Sequence, residues 1–301
     1  MNVHRVLAEG FHFTEDPRWH DGRLWFSDFF GHAVYSVGVP VEDPPGADSP
    51  PDVRLELAID DQPSGLGWLP DGRLLVVSMV EQKVLRREHD GSVVIHADLS
   101  GLATFWCNDM LVDPMGRAYV GNFGFDLDAM VAGGEIEAMM MSPPTTCIAL
   151  VMPNGDTSVA ADQMAFPNGT VLTPDGRTLI VAETLAMCLT AFDVATDGSL
   201  SNRRVWADLS SQWVPPDGIC LDADGAVWVA NALAAECARV IEGGEITDRQ
   251  SFSQKCFACA LGGPDGRTLL ACTAASEKAA RNMVTTTAKI EMAEVRVAAA
   301  R

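Results

Sequence analysis

Basic residues are scarce in this chain: 21 lysines and arginines stand against 41 aspartates and glutamates, a net charge of −20. A chain so acidic is poorly suited to phosphate backbones, which need lysine and arginine to neutralise them, or to anionic membrane surfaces. Most of the acidic residues read as a solvated surface, a balance also compatible with binding cations. No run is apolar and long enough to span a bilayer. Met1-Asn2-Val3-His4-Arg5 leads straight into a strand-like pattern with no apolar signal core. The expectation is a cytoplasmic protein, a monomer or weak homo-oligomer, with no nucleic-acid or membrane partner.

Histidine is missing from most of the chain. All six (4, 12, 20, 32, 89 and 96) precede residue 97. Later segments therefore cannot supply one to a shared site, which argues against a histidine-rich metal centre and against a Ser-His-Asp triad. Gly-x-Ser-x-Gly is absent too, and Gly262-Gly263 is not a phosphate-cradling loop before a helix. The eight cysteines (107, 147, 188, 220, 237, 256, 259 and 272) fall in no paired metal spacing. Cys256 and Cys259 form one Cys-x-x-Cys without a second pair. Several others sit in apolar runs, where a reduced thiol packs as a small hydrophobe.

What is present is a repeat. Asp-Gly, or once Met-Gly, followed by strand-forming residues, recurs at Gly22, Gly72, Gly116, Gly176, Gly225 and Gly266, with spacings of 50, 44, 60, 49 and 41 residues. Asp-Gly between apolar runs marks a hairpin, because glycine tolerates the positive φ of the turn. A hairpin repeated about every 45 residues predicts an all-β, six-bladed β-propeller of four-stranded antiparallel blades around a central channel, with residues 1–301 as one domain. Residues 3–13 precede the first repeat, and the alternating run 288–298 follows the last. The ring is expected to close by pairing these two. Further hairpins are expected at Asp90-Gly91 and Asp197-Gly198, and a surface loop at 41–48. An insertion at 124–146, carrying Met130, Met139, Met140 and Met141, accounts for the longest spacing. It reads equally as a lid on the channel or as a helix packed on the blade edge.

The repeat also serves as a ruler. Eight residues before each turn glycine stand Ser64, Asn108, Asn168, Asp217 and Ala258; seven before the first stands Glu15. Residues at one repeat phase form a ring at one level of the channel. Four of the six carry a carboxylate or a carboxamide, two of each, within turn-rich segments such as Pro167-Asn168-Gly169 and Pro216-Asp217-Gly218. Carboxylates crowded at a channel floor repel each other, and burying them unpaired is costly, so a cation is expected. The oxygen donors suit Ca²⁺ first, with Mn²⁺, Mg²⁺ or Zn²⁺ as alternatives.

These segments resemble the senescence marker protein, regucalcin and gluconolactonase family of six-bladed propellers over essentially the full length. Glu15-Asp16-Pro17-Arg18-Trp19 is similar to the family's first metal-ligand segment, Asn168-Gly169 to its second and Asp217-Gly218 to its third. Asn108-Asp109 is similar to its substrate-side asparagine, and Cys256–Gly263 to a late-blade segment of bacterial members. The resemblance implies one divalent ion on Glu15, Asn168 and Asp217, Asp217 as the catalytic base, and lactone hydrolysis. Phe105, Trp106, Asn108 and Asp109 would face the substrate. Sugar-lactone members carry an arginine where this chain has Trp106. A flat apolar ring cannot replace a guanidinium fork, so a less polar or aromatic lactone or ester is expected. A phosphotriesterase-like hydrolase and a non-catalytic metal-binding propeller are the alternatives.

Overall fold

The computed structural model describes residues 4–40, 52–134 and 136–300; the loop expected at 41–48 lies outside them. Six four-stranded antiparallel sheets form six blades. Blades one to five are contiguous, at 14–58, 63–98, 107–164, 167–208 and 216–251. Blade six takes three strands from 255–294, and its outermost strand is Arg5–Phe11, paired with Ala288–Glu294. The ring is thus closed by a strand from the opposite end of the chain, as the sequence pattern predicts. Among the described residues no helix is long and apolar enough to cross a membrane.

The first strand of each blade is innermost, since these six strands pack on one another across blade boundaries. They are Thr14–His20, Pro63–Trp68, Cys107–Val112, Pro167–Leu172, Pro216–Leu221 and Lys255–Gly262. Each ends at its repeat turn. In blade two, Gly72 N donates to Leu69 O (2.8 Å) and Leu69 N to Arg73 O (2.9 Å), closing a three-residue loop. Gly72 sits at φ +86°, where a side chain would be strained, and Asp71 Oδ1 accepts Arg73 N (3.1 Å). The aspartate and the glycine of the motif therefore have separate jobs. The hairpins expected at Asp90-Gly91 and Asp197-Gly198 are also present.

The other end of every axial strand departs from regular pairing. The register slips between Glu15 and Arg18, Pro63 and Leu66, Cys107 and Met110, Pro167 and Thr170, Pro216 and Ile219, and Cys256 and Ala258. The turn-rich segments of the sequence are therefore bulges inside strands rather than turns. A bulge swings side chains away from the regular alternation, which here lets one residue per blade face the axis. The inner strands also approach closely. A Cβ on Gly169 would lie 2.5 Å from Ile219 N, and one on Gly218 would collide with the Cβ of Ala258. Glycine after the axial residue is thus a packing requirement.

The insertion forms two short helices, Leu127–Gly133 and Ile136–Met141. It is not merely an edge decoration. Leu127, Asp128 and the buried Met139 face the cavity described next, whereas Met141 is exposed.

Candidate functional site

A cavity of about 200 Å³ opens at the bulge end of the axial strands. Its polar lining includes Glu15, Asn108, Asn168 and Asp217, all buried and all from the expected phase. Ser64 and Ala258 complete that phase behind the surface. Ser64 Oγ donates to Asn108 Oδ1 (3.3 Å), Asn108 Nδ2 to Asn168 Oδ1 (3.3 Å), and Asn168 Nδ2 to Thr184 Oγ1 (3.2 Å). Thr184 in turn donates to Pro216 O (2.7 Å), so a chain of hydrogen bonds runs from blade two to blade five. It fixes the orientation of both carboxamides.

The carboxylates are in an unfavourable place. Burial, and then the neighbouring Asp217 and Asp109, raise the Glu15 carboxyl well above its usual range. Burial and Asp109 do the same for Asp217, opposed by a hydrogen bond from Asn168. Neither pairs with a basic side chain among the described residues. Such a pair stays ionised only with a compensating charge. Among the described residues no three histidine, cysteine, aspartate or glutamate side chains form a metal cage. The set that could hold an ion is therefore mixed, two carboxylates with two carboxamides. Its all-oxygen chemistry and its uncompensated charge fit a hard divalent cation.

Asp109 stands apart from the other predicted residues. It is buried but does not line the cavity, and its Oδ1 has no hydrogen-bond partner. Burial pushes it up to about 6, moderated by Arg18. Arg18, in the Glu15–Trp19 segment, has a structural role. Its Nη2 donates to Asp16 Oδ1 (2.6 Å) and to Met110 O (2.7 Å), while Asp16 Oδ2 accepts Leu66 N. One guanidinium and one carboxylate thus lace the axial strands of blades one, two and three.

The walls are aromatic. Phe13, Phe29, Phe30, Trp106, Phe123, Phe166 and Phe257 all face the cavity. The Phe123 and Phe166 rings meet edge to face at 5.0 Å, and Phe13 and Phe257 lie 4.8 Å apart. Phe105 does not reach the cavity; it stacks on Trp106 at 5.1 Å and backs that ring. Phe166 holds φ +60°, a strained conformation for a bulky residue, directly before Pro167-Asn168. Sequence reasoning missed most of this wall, although the ruler contains it. Two residues before the axial position of blades one to five stand Phe13, Gln62, Trp106, Phe166 and Pro215, and seven after the turn glycine of blades one, two, three and five stand Phe29, Met79, Phe123 and Ala232. All nine line the cavity, whereas the corresponding Cys256, Glu183 and Thr273 lie off it.

Comparison with known proteins agrees with this fold. The chain is 25% identical to regucalcin of Xenopus laevis over 284 residues, covering 88% of this chain and 84% of that one. It is 29% identical to regucalcin of Danio rerio over 163 residues, about half of each protein. Among solved structures, a luciferin-regenerating enzyme superposes with a TM-score of 0.79 at 16% identity, covering 99% of this chain and 97% of that one. A calcium-binding regucalcin from Agrobacterium tumefaciens gives 0.73 at 20% identity, covering 100% and 98%. A gluconolactonase from Xanthomonas campestris gives 0.70 at 19%, covering 97% and 89%. At these identities the structural likenesses speak for the fold. Residues 13–275 match one sequence family and include Glu15, Asn108, Asn168 and Asp217, so the chain belongs to the SMP-30/Gluconolactonase/LRE-like region family.

Proposed function

We propose that the protein is a divalent-metal-dependent hydrolase that opens lactones, with a preference for apolar or aromatic lactones over sugar lactones. The carrying observation is the floor: two buried carboxylates and two carboxamides, with no basic partner among the described residues, beneath aromatic walls. Gluconolactonase and regucalcin relatives support the reaction class. Glu15, Asn168 and Asp217 would hold the ion, with Ca²⁺ the best match to the donors and Mn²⁺, Mg²⁺ or Zn²⁺ as substitutes. When bound, such an ion supplies Lewis-acid polarisation of a carbonyl and lowers the pKa of water.

The remaining work falls to the protein. Asn108, held by Ser64 and Asn168, presents a fixed amide to the ester group of the substrate. Asp217 orients the attacking water and takes its proton. Trp106, braced by Phe105, packs the flat face of the lactone ring and supplies no hydrogen-bond fork for sugar hydroxyls. Phe123, Phe166 and Phe257 exclude bulk water, which strengthens the electrostatics of the floor.

The test is turnover of dihydrocoumarin and of gluconolactone by metal-loaded and chelator-treated protein. Dihydrocoumarin should be the better substrate, and chelation should abolish turnover reversibly. Asp217→Ala should lower kcat by about 10²–10⁴-fold. Full activity in both Asp217→Ala and Glu15→Gln would overturn the proposal. Metal-induced thermal stabilisation without turnover of any lactone would leave a binding propeller, and hydrolysis confined to a fluorophosphate would point to phosphotriester chemistry.

A further inference from the structure

Blades five and six hold four of the eight cysteines in one cluster, and the proposed hydrolase chemistry uses none of them. Cys220 lies on the axial strand Pro216–Leu221 and Cys259 on the axial strand Lys255–Gly262, with their sulfurs 3.7 Å apart. The two strands belong to different sheets and share no ladder. They are nonetheless pressed together, since a Cβ on Gly218 would collide with that of Ala258. Cys259 Sγ also donates towards Trp228 O (3.5 Å) and Gly218 O (3.7 Å), so the thiol is held facing blade five. Cys237 interacts with Cys256 and Cys259 from behind, and these three are fully buried. Cys220 alone of the four is partly exposed.

We infer that Cys220 and Cys259 form a reversible disulfide that staples blade five to blade six beneath the cavity floor. A disulfide needs sulfurs about 2.05 Å apart on Cβ atoms about 3.8 Å apart. The two sulfurs already lie 3.7 Å apart on strands in near contact, and rotation of the two side chains brings them to bonding distance. The oxidant is a hydroperoxide. Cys220, the one residue of the four with partial exposure, attacks the O–O bond; its sulfur becomes a sulfenic acid and one molecule of water (or alcohol) leaves. Cys259 then attacks that sulfur, the S–S bond forms, the S–O bond breaks and a further water leaves with the thiol protons. In total two thiols give up two electrons and two protons to the peroxide, and an added dithiol reverses the step. The staple lies three residues after Asp217 and one after Ala258, so it fixes the spacing of two axial strands at the site.

The experiment treats the intact folded protein with a few equivalents of hydrogen peroxide, then maps tryptic peptides by mass spectrometry without reduction. A link should form between the peptide 205–239 and the peptide 256–267. It should persist in Cys237→Ser and Cys256→Ser and vanish in Cys220→Ser and Cys259→Ser. The melting temperature of the wild type should rise on oxidation by roughly 5 °C or more, as expected for a closed loop of this length, and return with dithiothreitol. Cys220→Ser should melt like the reduced wild type and gain nothing from peroxide. A link that survives Cys220→Ser, or thiols that stay free after peroxide treatment of the folded wild type, would overturn the inference.

Discussion

Each axial strand has two ends, and they obey different rules. At one end stands the repeat turn, whose backbone is copied from blade to blade: a glycine in the left-handed region at all six and, at three of them, the motif aspartate accepting a backbone N–H, at Asp71, Asp175 and Asp265. At the other end stands a bulge, and there the axial residue differs: Glu15, Ser64, Asn108, Asn168, Asp217 and Ala258. The turn end makes six similar blades, so any favourable solution can be copied. The bulge end feeds one shared point on the axis, so six identical residues would be useless there. Six carboxylates would repel, and six alanines would hold nothing. Variation at a fixed phase is what a site at the centre of a ring requires.

The most disruptive way to test this contrast is to deform a bulge without touching its polar residue. Gly218→Ala drives a methyl group into Ala258. Overpacking of this kind should destabilise the fold by about 1–3 kcal/mol in chemical denaturation. It should also depress lactonase activity far more than that loss of stability explains, because Asp217 is displaced with its strand. Activity unchanged in a folded Gly218→Ala protein would mean that the approach of the two strands does not set the site. A smaller effect is expected at the wall. Trp106→Arg should lower kcat/KM for an aromatic lactone and raise it for a sugar lactone, changing the ratio by about tenfold. An unchanged ratio would remove Trp106 from specificity.

The same contrast explains what could be read in the sequence. The turn is local: Asp71, Gly72 and Arg73 make its bonds within five residues, so the fold and the blade count were legible. Counting from the turns also located Glu15, Asn108, Asn168 and Asp217, because inner strands of six to eight residues keep the distance from the axial residue to the turn nearly constant around the ring. The bulges were not legible. Asn168-Gly169 looks like a turn in one dimension, and the need for glycine comes from Ile219 and Asp217 in the next blade. The lacing by Arg18 likewise depends on Met110, 92 residues away. Asp109 adjoins Asn108 in sequence, yet the strand sends it below the floor, away from the cavity.

The floor makes a further prediction through pH. Glu15 and Asp217 are raised well above the usual carboxylate range and Asp109 to about 6, chiefly by burial. The native state therefore keeps protons that the unfolded chain releases. Without a divalent cation, stability should be greatest below the unfolded carboxylate pKa of about 4 and decline as pH rises through the raised values. A cation favours the ionised forms, so its stabilising effect should grow as pH rises from about 4 through the range of those raised values. Calorimetry should find protons released on binding at the acid end of that range. Glu15→Gln should flatten both trends. A thermal shift independent of pH would place the ion elsewhere.

The least disruptive test concerns the turn end. Asp71 is exposed, accepts Arg73 N and pairs with the Arg73 guanidinium at 2.8 Å. Asp71→Ala removes both contacts and leaves Gly72 to supply the left-handed residue of the loop. Blade two retains its strand pairing, and none of the cavity residues touches the substitution. Surface changes of this sort move stability little, so kcat/KM should match the wild type and the melting temperature should fall only slightly. Were Asp71→Ala to lower activity as Glu15→Gln does, the two ends of the strand would be coupled, and the division between a copied turn and a variable floor would fail.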